Sequence, residues 1–236
     1  MTRALDIYGG KSPRDLALYS VADAARIVRV NAATLRTWAL GRNYPTREGD
    51  RRWEPLIRAA DPKHKRLSFT NLVELHVLSA LRGKSVRVDR IRKATRFLRD
   101  SLGTDHPLAD TDTHTDCVDV YVEYLGQLVN ASSAQATLRP IVERYLTRID
   151  RDERGLARRL FPATRDTEDL GPKLVVIDPA RRFGRPVVSG SGIETAIIAE
   201  RFHAGESARD LAIDFEIAED AIEEAVRFET ALRRAA

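Results

Sequence analysis

A mainly α fold with small antiparallel β elements (α+β) is predicted by three observations. Apolar residues recur at helical spacing through most of the chain. Capping residues (Ser20, Asn31, Ser68 or Thr70, Ser207) stand at the starts of these periodic stretches. Short period-2 segments rich in valine, bounded by Gly, Pro and Asp, interrupt them.

The elements follow in order. The first 18 residues carry few periodic signals, and GGKSPRD reads as a loop. Ser20 caps a predicted helix over 21–29, and Asn31 caps a second over 32–40, ended by Gly41. Residues 42–67 are rich in Pro, Gly and charge, with apolar pieces suited to a small hairpin. An apolar-periodic helix then runs from about Ser68 to Gly83, and a basic helix over 88–102 shows Ile91, Ala94, Thr95 and Leu98 on one side. TDCVDVYVEY at 115–124 alternates at period 2, and Gly126 supplies a turn into 127–130, so a hairpin is predicted here. A helix is expected over 138–147, with Pro140 tolerable in its first turn. Segments 148–150 and 156–161 flank Asp152–Gly155 as another hairpin, and PATRDTEDLGP at 162–172 reads as a linker. LVVIDP and GRPVV are short strands before three last helices, 194–204, 208–214 and 219–233. The expected organisation is a front unit at 1–104, a small α+β middle region and linker at 105–172, and a tail unit at 173–236.

Charge divides unevenly along these 236 residues. Residues 1–104 hold 22 Lys+Arg against 10 Asp+Glu, whereas residues 105–236 hold 17 against 25. A net of +12 at the front and −8 at the back predicts two partners of opposite electrostatic character, one of them nucleic acid. Cys117 is the only cysteine, which excludes an internal disulfide and a CxxC metal knuckle. The first 15 residues lack the apolar core of a signal peptide, and no run approaches the ~18 apolar residues of a membrane span. A reducing cytoplasm is the expected compartment, with no membrane association and no cofactor or metal.

Residues 21–40 have the make-up of a helix-turn-helix. Ala24 and Ala25 suit a tight helix crossing, Val28 and Val30 bracket the turn, and Leu35 and Trp38 pack inward. Ala32, Ala33, Arg36 and Thr37 then face outward, a surface able to enter a major groove, with Arg36 suited to guanine or phosphate. Arg29 stands where glycine is commonest. Beyond the helices, Arg42, Arg47, Arg51, Arg52, Lys63, His64, Lys65 and Arg66, interleaved with Tyr44 and Trp53, are placed to neutralise phosphates. Thr34, Arg36, Thr37, Arg42, Arg47, Arg51, Arg52, Lys63, Lys65 and Arg66 are the candidate DNA-contacting residues. The helix at 88–102 adds Arg87, Arg90, Arg92, Lys93, Arg96 and Arg99.

YSVADAARIVRVNAATLRTWAL, with its Thr34-Leu35-Arg36-Thr37-Trp38 segment, resembles the opening of the MerR-type winged helix-turn-helix. The resemblance covers about residues 19–100. It implies an N-terminal winged helix-turn-helix whose β-wing touches the DNA backbone, and a homodimer reading an inverted repeat of double-stranded DNA. That family's metal-sensing cysteines have no counterpart, so a metal response is not implied.

A second helix-turn-helix pattern lies at 207–227, but its would-be recognition helix opens with Glu219, Asp220, Glu223 and Glu224. Those carboxylates would be repelled by a phosphate-lined groove, so this element reads as a scaffold for dimerisation or for a basic partner. The surrounding segment, 174–230, resembles the small helical domain, long catalogued as of unknown function, that recurs in VapB-like antitoxins encoded beside PIN-like toxins. The resemblance is carried by Ile177, Asp178-Pro179, Gly184, Pro186, Val188, Gly190, Ser191, Ile193, Gly205, Ser207, Leu211, Asp214 and Phe215, with Gly192 where arginine is usual. It implies a C-terminal helical, bundle-like antitoxin domain. The two resemblances together imply an antitoxin of a type II toxin–antitoxin system, whose partners are a PIN-like ribonuclease toxin and operator DNA. PIN-type sites cluster carboxylates around a metal, so Arg181, Arg182, Arg185, Arg233 and Arg234 are candidate toxin contacts.

Catalysis is not expected. The polar run from His106 to Asp119 has the Asp-x-Asp spacing of a calcium loop, but Thr115 and Tyr121 occupy the positions that require Gly and Glu. Gly184-x-Pro and Gly190-x-Gly192 lack phosphate-loop spacing, and Ser189 and Ser191 lie in no nucleophile elbow. The competing readings are a MerR-like regulator answering a small molecule, with the tail serving dimerisation, and an adaptor that binds protein alone.

Overall fold

The computed structural model describes residues 10–46, 49–81, 86–109, 121–125, 132–165 and 169–234. It is a mixed α+β fold, with helices predominating and short antiparallel strand pairs between them. β1 (Tyr19–Ser20) pairs with β4 (Arg66–Leu67) and leads directly into α1 (Val21–Ile27). Ser20 caps α1 in a reciprocal box: its Oγ accepts the Asp23 amide at 3.0 Å, and the Asp23 carboxylate accepts the Ser20 amide at 3.3 Å. Asn31 caps α2 (Ala32–Leu40) by accepting the Ala33 amide at 2.9 Å. In the turn between them Arg29 takes φ +56°, a left-handed conformation that suits glycine, and donates to the Arg165 carbonyl.

α2 stops at Gly41, whose φ is +76°. A β-carbon there would stand 2.4 Å from the Trp53 carbonyl oxygen, so glycine lets the hairpin of β2 (Arg42–Thr46) and β3 (Gly49–Trp53) close against the helix end. α3 (Phe69–Ala80), capped by Ser68, is buried on every side, as a central helix must be. α4 (Val88–Leu102) buries Ile91, Ala94, Thr95 and Leu98, the expected face.

Two secondary-structure expectations for the middle fail. Residues 121–125 are helical, not the end of a strand. Tyr121, Val122 and Leu125 are buried, a one-helix-face spacing, and Tyr124 stacks on Phe97 with ring centroids 4.2 Å apart. Packing here overrides the β-propensity of Tyr121 and Val122; the rest of the expected hairpin lies outside the described residues. α5 (Ser132–Leu146) begins six residues earlier than predicted, which puts Pro140 in its interior. Leu138, Val142, Tyr145 and Leu146 are buried against the core, and this packing holds a helix that proline alone would end.

β5 (Ile149–Arg151) and β6 (Ala157–Leu160) form the predicted hairpin. The segment after it is not a free linker. Phe161, Pro162, Ala163, Thr164 and Leu170 are buried, and the buried Arg148 guanidinium donates to the carbonyls of Phe161, Pro162, Leu170, Gly171 and Pro172 at 2.7–3.3 Å. An arginine clamp of this kind has no periodic signature in sequence.

Leu160 bridges to Ile177, carrying the chain into β7 (Val175–Val176), which pairs with β8 (Val187–Val188). α6 (Thr195–His203), α7 (Ala208–Phe215) and α8 (Glu219–Arg234) close the fold as predicted. α6 and α7 pack on α8 over a small core of Val188, Ile198, Leu211, Ala221, Ile222 and Ala225. The main core runs from Tyr19 through α3 and α4 to Val175, Ile177 and Phe228, and α8 also packs against α1. Front and tail therefore share buried surface. No helix of the described residues is long and apolar enough to cross a membrane.

Candidate nucleic-acid interface

α2 is anchored by Leu35 and Trp38, which are buried, and α1 meets it through the fully buried Ala24 and Ala25. The opposite face of α2 exposes Ala33 and Arg36, with Thr34 and Thr37 half-buried. Arg36 makes no hydrogen bond or ion pair among the described residues, so its guanidinium is available to a ligand. The Thr37 hydroxyl donates to the Ala33 carbonyl at 3.1 Å and keeps its acceptor capacity. Ala32, expected outward, instead packs partly against the core. On α1 the Asp23 carboxyl is partly buried, which would raise its pKa, yet hydrogen bonds from Ser20 and Arg26 hold it below the ordinary value.

The β2–β3 hairpin projects from the end of this helix. Arg42 faces Trp53, Asn43 faces Arg52 and Tyr44 faces Arg51. Every residue of β3 is exposed, and a two-stranded ribbon without a buried face is marginal by itself. Its base is fixed to the body by aromatic and cationic contacts. Tyr44 and Trp53 pack with centroids 5.2 Å apart, the Arg92 guanidinium of α4 lies 5.8 Å from the Trp53 ring, and Arg92 Nε donates to the Glu54 carbonyl at 2.6 Å. The Leu56 amide donates to the Trp38 carbonyl at 2.7 Å, tying the chain after the hairpin back to α2. Partial burial draws the Arg92 pKa below the usual arginine value against the pull of Asp89, and the like charge of Arg96 acts in the same direction. Sequence reasoning named Trp53 and Arg92 but not their pairing, because 39 residues separate them.

The structure brings Arg36, Arg42, Arg51 and Arg52 onto this contiguous helix and hairpin. Lys63, Lys65 and Arg66 sit elsewhere, on a turn closed by the Asp61–Arg66 bridge and tied to β1 by an Arg66 bond to the Leu18 carbonyl. Arg47 lies outside the described residues. Lys63 and Lys65 are exposed, and Lys65 takes φ +56° in that turn.

In the tail, Arg181, Arg182 and Arg185 are exposed around a tight turn in which Arg182, Phe183 and Gly184 all take positive φ. Arg185 pairs with Glu194 at 3.1 Å and Arg181 lies 3.9 Å from Asp178. Arg233 and Arg234 fall at the end of α8, where side chains are outside the described set. Of the four carboxylates expected to face outward on α8, Glu219, Asp220 and Glu223 are exposed. Glu224 is buried instead, hydrogen-bonded to Thr164 and ion-paired with Arg227 at 3.2 Å and Arg165 at 3.6 Å. It is structural, a role that its helical position alone could not reveal.

Comparison with known proteins agrees with this layout. Residues 17–95 match the family described as "Putative DNA-binding HTH domain", and residues 175–228 match "Protein of unknown function (DUF433)". The chain is 32% identical over 233 residues to "Putative antitoxin VapB45" of Mycobacterium tuberculosis (strain ATCC 25618 / H37Rv), covering 90% of this chain and 93% of that protein. It is 22% identical over 220 residues to "Uncharacterized protein Rv2308" of the same organism, covering 91% and 90%. The crystal structure of Rv2018 from Mycobacterium tuberculosis superposes with a TM-score of 0.65 at 28% identity, covering 90% of this chain and 98% of that one. The chain thus belongs to the VapB-like antitoxins that join a helix-turn-helix DNA-binding domain to a C-terminal DUF433 domain.

Proposed function

We propose that this chain is the antitoxin of a type II pair: a homodimer that represses its own operon through the front unit at 1–104 and neutralises a PIN-like ribonuclease through the tail at 173–236. The observation that carries the DNA half is Arg36, exposed on α2 and without a partner among the described residues, beside an arginine-bearing hairpin. The family membership and the acidic balance of the tail support the toxin half, because opposite charge on the two ends lets each partner be met without interference from the other. Arg181, Arg182 and Arg185 are the residues offered to the toxin's acidic centre. The protein acts by binding, in the reducing cytoplasm, without a reaction of its own.

Two measurements test this. Co-expression with the neighbouring reading frame, followed by purification, should yield a complex whose ribonuclease activity returns when the antitoxin is degraded. Operator binding should lose about 1–3 kcal/mol in Arg36→Ala, the worth of a base contact. In Arg51→Ala the dependence of binding on salt should flatten by about one ion. Operator affinity within error of wild type for Arg36→Ala removes α2 from the groove.

One observation favours the competing regulator reading. A cavity of about 580 Å³ lies between α1 and the tail, lined by Tyr19, Asp23 and Arg26 on one side and Gly184, Arg185 and Glu194 on the other. Two ion pairs, Arg26–Asp23 and Arg185–Glu194, engage four of its charged groups, and the fifth, Glu229, accepts a hydrogen bond from the Thr195 hydroxyl. A small-molecule effector would have to displace them, which leaves the antitoxin reading ahead.

A further inference from the structure

Beneath the hairpin lies a second cavity, of about 260 Å³, whose lining includes Glu54, Leu56, Arg58, Arg92, Arg96 and Arg99. Four guanidinium groups surround it, and one carboxylate, that of Glu54, stands among them. The spacing explains the convergence: Arg92, Arg96 and Arg99 fall at i, i+4 and i+7 on α4, and so share one face of that helix. Arg58 arrives from the chain after β3 and is ion-paired to Asp105.

These three arginines of α4 carry no ion pair among the described residues. Arg92 Nε donates to the Glu54 carbonyl at 2.6 Å, yet its Nη2 is buried without a partner. Arg99 Nη2 donates to the Leu56 carbonyl at 3.3 Å, yet its Nε is likewise buried without one. Arg96 is exposed and has no hydrogen bond or ion pair among the described residues. The buried Glu74 lies near enough to Arg99 to feel its charge, but its own hydrogen bonds go to Asn71 and His106. A buried donor without an acceptor pays its desolvation uncompensated, and clustered like charges add to that penalty. Both penalties are relieved by one ligand type, a compact polyanion with several acceptor oxygens.

We propose that this pocket binds a phosphoryl group, held by Arg92, Arg96 and Arg99 at the base of the hairpin. Forked guanidinium donors match the tetrahedral oxygens of phosphate better than they match a chloride ion. The site is distinct from the groove-facing surface of α2, and it stands whether or not Arg36 reads bases. The phosphoryl group comes either from the backbone of a DNA duplex gripped by the hairpin or from a free phosphorylated molecule.

Isothermal titration of the full-length protein with inorganic pyrophosphate, at ionic strength fixed with potassium chloride, tests the proposal. Wild type should bind saturably at one site per chain. Arg96→Gln, which removes no contact from the fold, should weaken binding by about tenfold or more. Arg36→Ala, outside the pocket, should bind as wild type does. Repeating the titration with saturating duplex DNA separates the sources: loss of the pyrophosphate signal assigns the site to the DNA backbone, and persistence assigns it to a free phosphorylated molecule. No saturable binding by wild type, or equal binding by Arg96→Gln, overturns the proposal. Pyrophosphate binding that survives in a protein with no affinity for operator DNA would instead overturn the DNA-binding reading and leave the pocket standing.

Discussion

The phenolic oxygen of Tyr19 donates a 2.9 Å hydrogen bond to the carbonyl of Gly184, 165 residues away. It is a buried link between the strand that opens the helix-turn-helix and the strained turn of the DUF433 domain. Burial, with the nearby Asp178 charge, keeps this phenol protonated far above its ordinary pKa, so it remains a donor at any physiological pH. Gly184 takes φ +70°, and a β-carbon there would lie 2.1 Å from the Tyr19 oxygen. Tyr19→Phe should cost about 1–2 kcal/mol, because the Gly184 carbonyl is left buried without its donor. Gly184→Ala should cost more, through both the backbone strain and the clash. In the double variant the hydroxyl is gone and the nearest ring atom, Cζ, stands 3.1 Å from the new methyl. Urea denaturation of the four proteins should therefore give a double variant less destabilised than the sum of the singles. Additivity within about 0.5 kcal/mol would show that the two residues act independently.

Stability should fall in mild acid because of His76. The ring is buried in α3, with one nitrogen 3.2 Å from the Tyr145 carbonyl and the ring packed on Tyr145 at 4.9 Å. Burial, reinforced by the positive charge of Arg148, lowers its pKa from 6.5 to about 4, while the Tyr145 carbonyl opposes the shift. The unfolded chain takes up a proton below pH 6.5 that the folded chain refuses until about pH 4. The contribution of His76 is thus complete above pH 6.5 and is lost as pH falls through that window, by roughly 3 kcal/mol in total. Chemical denaturation at pH 7 and pH 5 should show the loss in wild type. His76→Gln, which keeps a donor for the Tyr145 carbonyl, should show a smaller pH dependence over the same interval. An unchanged slope in that variant would mean that other groups carry the acid sensitivity.

How much of this was legible in the sequence follows from the range of the forces involved. Local signals are legible where a single residue supplies the physics: Ser20, Asn31, Ser68 and Ser207 cap the helices they precede, and the 88–102 helix buries the side predicted for it, Ile91, Ala94, Thr95 and Leu98. Those effects act within one turn of helix. What could not be read depends on partners far along the chain. Pro140 stays inside a helix because packing compensates the lost backbone bond, and Tyr121 to Leu125 turn helical because a core face awaits them. The candidate interface divides in the same way. Arg36 was placed on an exposed face by helical period alone, but Arg92 under Trp53, and Glu224 under Thr164, are pairings of tertiary origin. Lys63 and Lys65 look contiguous with the hairpin arginines in sequence, yet the strand pairing of Arg66 with Ser20 carries them to β1.

Arg148 should be among the most sensitive positions in the molecule. Its guanidinium is bonded to five backbone carbonyls, four of them in the 162–172 segment. Burial lowers its pKa below the usual arginine value, with Glu224 and Asp169 acting against that. Arg148→Ala removes a donor from each of these carbonyls, of which only that of Leu170 is also seen to accept a backbone amide, from Thr164 at 3.1 Å, and should cost on the order of 3 kcal/mol or more. Arg148→Lys should recover little, since one ammonium cannot span acceptors arranged for a planar fork. The urea midpoint reads both, and increased proteolysis within 162–172 is the accompanying sign that the clamp has opened. A lysine variant as stable as wild type would mean that charge, not geometry, holds the segment.

Both helix-turn-helix turns carry a non-glycine residue in the left-handed region, and the two should respond oppositely to glycine. Arg29, at φ +56°, turns its conformation to use, since its side chain donates to the Arg165 carbonyl. Glu216, at φ +55°, ends α7 with an exposed side chain that makes no bond among the described residues. Its negative charge also sits at the negative end of the helix. The left-handed region costs an ordinary L-residue about 1–2 kcal/mol, part of which glycine returns through its freer unfolded state. Glu216→Gly should therefore stabilise the protein by about 1 kcal/mol, a rise in melting temperature of roughly 2–4 °C for a chain of this size. Arg29→Gly relieves the same strain but gives up the Arg165 contact, so its net gain should be smaller or reversed. Differential scanning calorimetry of the two variants settles the comparison: a larger gain at 29 than at 216 would mean that the Arg29–Arg165 bond contributes nothing to holding the tail against the helix-turn-helix.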